Sequence, residues 1–170
     1  LTIMPRREAL GMVAHTPLEE RDPRPQLFYE GLLRTSVGST VAERIYFGEN
    51  HPGVSSDLEN ATRIACMMVG KFAMSPYACS KKDEKYYASI GESLISVPSG
   101  NAMLSMMSIA SLEEKVLMGK SREKVAILLG QAFVDNYRLI KANEGLAQEV
   151  VERLLEIDEF SGEELDALWE

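Results

Sequence analysis

The chain has 170 residues, 45% of them hydrophobic, and 26 acidic against 18 basic side chains give it a formal net charge of −8. That is long enough to bury the core of one domain. An acidic chain whose densest basic cluster, Lys81 and Lys82, runs straight into Asp83 and Glu84 is a poor partner for nucleic acid or an anionic membrane.

Leu1–Met4 and Leu10–His15 are short apolar runs separated by charge and proline, and they predict a two-stranded ribbon. A proline-rich charged connector follows, "TPLEERDPRP". From Gln26 to Phe47 the spacing of Phe28, Leu32, Val37, Val41 and Ile45 predicts a helix that stops near Gly48. Gly48, Pro52 and Gly53 mark a loop. Ser56 followed by Glu59 has capping-box spacing, and Leu58, Ala61, Ala65, Met68 and Phe72 form one apolar stripe of about five turns. Pro76 cannot continue that helix, so it should end around Met74.

Residues 77–120 are punctuated by Gly91, Pro98 and Gly100 and read as a variable connector. Their Met-rich "NAMLSMMSIA" fits ordinary core or interface packing. From Ser121 a helix resumes with Val125, Leu128, Leu129, Ala132, Asn136 and Leu139 on one face. Asn143 and Gly145 break it before a further helix carrying Leu146, Val150, Leu154 and Ile157. Ser161 and Glu164 repeat the capping-box spacing and open a terminal helix. The expected fold is one mainly α domain over residues 1–170, a helical bundle with a short two-stranded β element near its N-terminus.

Two cysteines, Cys66 and Cys79, without Cys-x-x-Cys spacing read as free thiols of a reducing compartment. No run of about 18 apolar residues or signal-peptide pattern is present. A catalytic zinc site asks for about three protein ligands, most simply two histidines four apart on a helix. The chain's only histidines, His15 and His51, are far apart and read as ordinary exposed side chains. There is no Gly-x-Ser-x-Gly elbow and no phosphate loop, since "GENHPG" lacks the lysine. Adjacent carboxylates such as Glu19–Glu20, Glu113–Glu114 and Glu163–Glu164 read as solvated charge. Asp57, in the first turn of its helix, needs no purpose on spacing alone, because the helix dipole favours a negative charge there by roughly 0.3–1 kcal/mol.

The order of the segments "LTIMPRREALGMVAHTPLEERD", "GSTVAERIYFGEN" and "GVSSDLENATRIACMMVGKFAMSP" resembles the peptidase domain of FtsH-type AAA-linked zinc metalloproteases. That family follows a His-Glu-x-x-His helix with a strand pair, then a G-G-x-x-A-E-E helix, then a G-A-S-N-D segment. Residues 1–76 track its zinc-site half, and residues 121–170, with "FSGEELDALW", look like its closing helices.

The resemblance implies that Asp57 is the third zinc ligand, beside two histidines. The zinc-bound water would attack a peptide carbonyl, with the Glu between those histidines as general base. It also implies protein substrates, an AAA ATPase module in the parent chain and self-association as a hexameric ring. The expected location is the cytoplasm, or the cytoplasmic face of a membrane if the parent carries an upstream anchor.

Three departures stand beside the matches. The His-Glu-x-x-His helix is not in these residues, so this chain alone is expected to be inactive and to hold no zinc; the start at Leu1 favours a fragment. Gly38–Ser39 and Glu43–Arg44 stand where the family has Gly-Gly and Glu-Glu, and Ser56 stands where Asn is usual. Two function classes therefore remain: the C-terminal part of an ATP-dependent zinc endopeptidase, or a non-catalytic pseudopeptidase or assembly scaffold.

Overall fold

The computed structural model describes residues 1–4, 13, 23–96 and 112–166, and these are mainly helical. They fall into two units, Pro23–Leu139 and Leu1–Asp22 with Ile140–Glu170. The first unit holds α1 (Gln26–Tyr46), a 3-10 turn (Pro52–Val54), α2 (Ser55–Gly70), α3 (Lys81–Glu92), α4 (Leu112–Leu117) and most of α5 (Arg122–Ala142). The second holds the end of α5, then α6 (Glu144–Ile157) and α7 (Gly162–Asp166).

Helix α1 ends as expected, where Phe47 N donates to Glu43 O at 2.8 Å and Gly48 takes φ +77°. Glycine reaches that left-handed conformation without steric cost. Val37 and Val41 are fully buried, but the inward face runs through Leu33, Ser36 and Thr40, while Leu32 is exposed. A stripe traced only through large apolar residues lands one position off, because small hydroxyl side chains occupy the contacts with α2.

Helix α2 stops at Gly70, short of Met74. Lys71 N and Phe72 N both donate to Met67 O, at 2.9 and 3.2 Å, and Met74 N donates to Met68 O at 2.8 Å. With Ala73 at φ +53°, the chain turns back before Pro76 is reached. Ala61, Ala65 and Met68 are buried as the stripe predicts; Phe72 falls outside the helix, 5.1 Å from the Tyr29 ring. At Gly70 an added Cβ would lie 2.7 Å from Val116 Cγ2, so the missing side chain lets α4 settle on the end of α2.

The stretch read as a connector contains α3. Ser80 caps it, accepting from Asp83 N at 3.2 Å and donating to Asp83 Oδ2 at 2.7 Å. Helix α3 meets α5 backbone to backbone: a Cβ on Gly91 would collide with Ala126 O, and one on Gly130 with Tyr87 O. Helix α5 buries Val125, Leu128, Leu129, Ala132 and Asn136 as expected, and also Ala126, Ile127, Gly130, Gln131 and Val134. A helix apolar on nearly all sides has neighbours on nearly all sides. Leu139, expected on that face, is exposed.

In the second unit the expected ribbon is not found among the described residues, which contain no strand and one isolated antiparallel bridge, Thr2 with Glu159. Ile3 N donates to Asp158 O at 2.9 Å and Phe160 N to Leu1 O at 2.8 Å. The backbone groups of Leu1–Ile3 are thus spent on the turn after α6, where Asp158 is left-handed at φ +63°. Leu10–His15, Val13 apart, and the "NAMLSMMSIA" run lie outside the described residues. The Ser161–Glu164 box does form: Ser161 N donates to Glu164 Oε2 at 2.8 Å and Glu164 N to Ser161 Oγ at 3.3 Å. The Ser161 N–H and then the Ser161 hydroxyl, which donates to Glu164 Oε2 at 2.8 Å, hold the Glu164 carboxyl below its ordinary range.

Candidate metal-ligand site

The start of α2 differs from what its sequence spacing predicts. The 3-10 turn runs straight into the helix, so Val54, at φ −80° and ψ −4°, occupies the cap position and no side chain caps it. Ser56 therefore lies inside the first turn, without the extended backbone a capping serine needs. The Ser56–Glu59 capping box is absent.

Asp57, half-buried in that first turn, instead accepts a hydrogen bond across to α1: Ser39 Oγ donates to Asp57 Oδ2 at 2.7 Å. One turn further along α2, Asn60 Nδ2 donates to Ser36 Oγ at 2.9 Å. The rungs are three residues apart on both helices and run in opposite chain directions, as an antiparallel pair requires. Arg63 NH2 then donates to Asn60 Oδ1 at 2.7 Å, which fixes the amide that makes the second rung.

The loop leading into α2 is pinned to the end of α1. Asn50 Nδ2 donates to Thr40 O at 2.9 Å, and Arg44 Nε donates to Asn50 Oδ1 at 2.6 Å. His51 N donates to Glu43 Oε2 at 2.7 Å. That backbone N–H, with smaller help from the Asn50 amide and the His51 ring, keeps the Glu43 carboxyl below its usual range. The His51 ring is exposed, as expected, with Nδ1 3.6 Å from the same oxygen. His15 lies outside the described residues.

Beside Asp57, α2 lines a polar groove of about 200 Å³ with Ser56, Glu59, Asn60 and Arg63, closed by Ser96 and Glu113. Ser96 N donates to the buried Thr62 Oγ1 at 3.0 Å, which holds that wall against α2. Burial, then the charge of Glu113, pushes the pKa of the Cys66 thiol up to about 11, and that of Cys79 is raised as well, chiefly by desolvation.

The chemistry of Asp57 suits one position in a zinc shell. One oxygen is held by Ser39, the only hydrogen-bond partner of this carboxylate among the described residues, and the other oxygen has no partner among them. A carboxylate oxygen is an ordinary zinc donor. The further donors are not here: among the described residues no three His, Cys, Asp or Glu side chains are grouped to hold a metal ion. Periodicity within either helix does not show the Ser39–Asp57 contact, although the equal spacing of Ser36–Ser39 and Asp57–Asn60 is a signal for it.

The family model of peptidase family M41 matches residues 1–168. The ATP-dependent zinc metalloprotease FtsH 2 of Thermoanaerobacter sp. (strain X514) is 25% identical over 170 residues, which cover 100% of this chain and 28% of its own. The ATP-dependent zinc metalloprotease FtsH of Synechococcus sp. (strain JA-2-3B'a(2-13)) is 27% identical over 171 residues, 99% of this chain and 25% of its own. The human ATP-dependent zinc metalloprotease YME1L1 is 46% identical over 78 residues, 44% of this chain and 10% of its own. The chain spans from about a tenth to little more than a quarter of the length of these relatives.

Proposed function

The chain belongs to peptidase family M41, and from that membership we propose that it is part of an ATP-dependent zinc metalloendopeptidase in which Asp57 is one zinc ligand. The observation that supports the assignment is the Asp57 carboxylate itself, delivered by the first turn of α2 with one oxygen held by Ser39 and the other without a hydrogen-bond partner among the described residues. The two histidine ligands and the glutamate base come, in this reading, from outside these 170 residues. When bound, zinc lowers the pKa of its water towards neutrality. The contribution of this chain is to place one oxygen donor, by fixing α2 against α1 through two hydrogen-bonded rungs and a pinned entry loop.

Protein substrates, an AAA ATPase module, ring-forming self-association and a place in the cytoplasm or on the cytoplasmic face of a membrane belong to the same proposal. Support for the protein substrates and the ATPase module comes from the names of the relatives, which are ATP-dependent zinc metalloproteases, while the ring and the location rest on the family resemblance alone. Among the described residues no helix is long and apolar enough to cross a membrane.

One observation favours the second reading, a scaffold that keeps the fold without the chemistry. Arg44, in place of a second glutamate, serves the fold, since it holds Asn50 and lies 5.1 Å from the centre of the Phe133 ring. Zinc content and casein hydrolysis of the full-length protein, beside its Asp57→Ala variant, separate the two. The proposal expects about one zinc per chain, lost together with hydrolysis on substitution; a full-length protein with neither is a scaffold.

A further inference from the structure

We infer that Ser39 is a positioning residue for the metal ligand, setting which Asp57 oxygen faces the zinc and holding the carboxylate in that orientation before the metal arrives. The inference rests on the assignment of Asp57 as a ligand. A serine hydroxyl has a single proton to donate, and this one goes to Asp57 Oδ2 at 2.7 Å. A hydrogen bond from a hydroxyl to a carboxylate is charge-assisted, roughly twice as strong as a neutral one. It stops rotation of the carboxylate and leaves Oδ1 as the oxygen without a hydrogen-bond partner among the described residues. An aspartate without that bond would have to be ordered by the metal itself, which weakens binding by the cost of ordering it.

A purely structural role for the same bond would be to hold α1 on α2. The second rung supplies the control, because Asn60 Nδ2 to Ser36 Oγ joins the same two helices one turn away without touching Asp57. Ser36 is also the more buried of the two serines, so its loss should cost the fold at least as much. Loss of the Ser36 rung therefore reads as stability alone, and loss of the Ser39 rung as metal affinity. Glycine at position 39, the residue that the family resemblance leads one to expect, cannot make the bond at all.

The test is zinc affinity of the full-length protein by chelator competition, with melting temperatures of the metal-free forms measured alongside. Outer hydrogen-bond partners of metal ligands are worth about 10- to 100-fold in affinity. Ser39→Ala should weaken zinc by that order, Ser39→Thr should restore it, and Ser36→Ala should lower the melting temperature with zinc affinity unchanged. Equal affinity in Ser39→Ala and wild type, or equal losses in Ser39→Ala and Ser36→Ala, overturns the inference. Asp57→Asn distinguishes the failures. If it binds zinc like wild type, the ligand assignment falls and this inference with it; if it loses zinc while Ser39→Ala does not, the positioning role alone falls.

Discussion

Helices α1 and α2 meet through side chains, whereas α3 and α5 meet through the lack of them. In the first pair Ser36, Ser39, Asp57 and Asn60 bridge the gap with two hydrogen bonds, and each can be exchanged with a graded loss. In the second, Gly91 and Gly130 bring backbone against backbone, and no larger residue fits. A contact made of side chains can also present a spare donor atom to a ligand. A contact made of bare backbone can only hold two helices together, so chemistry is expected at the first and stability at the second.

The largest effect that would break this contrast lies at the glycines. In Gly130→Ala or Gly91→Ala the new Cβ meets a carbonyl oxygen that cannot rotate away, so the cost should reach or exceed the roughly 3 kcal/mol at the upper end of ordinary overpacking. Thermal unfolding measures it, and an unchanged melting temperature would mean that α3 does not sit on α5. Next comes Asn136→Ala. Asn136 is buried and donates to Arg34 O at 2.6 Å, so its loss should cost about 1–3 kcal/mol in a denaturant titration. The neighbouring ion pair of Arg34 with Asp135, at 3.0 Å but partly exposed, should yield under about 1 kcal/mol on Asp135→Asn.

An effect of similar size is expected in the other unit. Ser161→Ala removes the acceptor for Glu164 N, and a lost cap of this kind costs about 1 kcal/mol. Faster amide exchange confined to α7 would report it.

The smallest is a pH effect at Glu43. Its folded pKa lies below the ordinary 4.5, so its contribution to stability is present above that value and is lost as the pH falls through the folded pKa. Glu43→Gln should therefore melt below wild type at neutral pH and converge with it in acid. A constant gap across the range would show that the charge plays no part.

What can be read in the sequence divides along the same line. Period and breakers locate α1, α2 and α5, because Val37, Ala61, Met68 and Leu129 recur on faces that are buried and Gly48 stops α1. Helix α3 is hidden because its inward face is Tyr87 and Gly91, and a glycine that serves as core leaves no apolar mark. The Ser80–Asp83 spacing is the available cue. The Ser56 cap fails because a preceding 3-10 turn cannot be seen in the spacing that follows it. The ribbon is not found among the described residues, where the partner of Thr2 is Glu159, near the far end of the chain. At the site, Asp57 can be placed at a helix start from local pattern, but its bond to Ser39 depends on the register of two helices, which no single-helix period contains.

Anomalous X-ray scattering at the zinc edge, on crystals of the full-length protein, tests the central claim most directly. The account predicts a zinc peak about 2.0–2.2 Å from Oδ1 of Asp57, the usual zinc–carboxylate distance, with Oδ2 still held by Ser39. A zinc peak elsewhere, with both Asp57 oxygens out of bonding range, would contradict it.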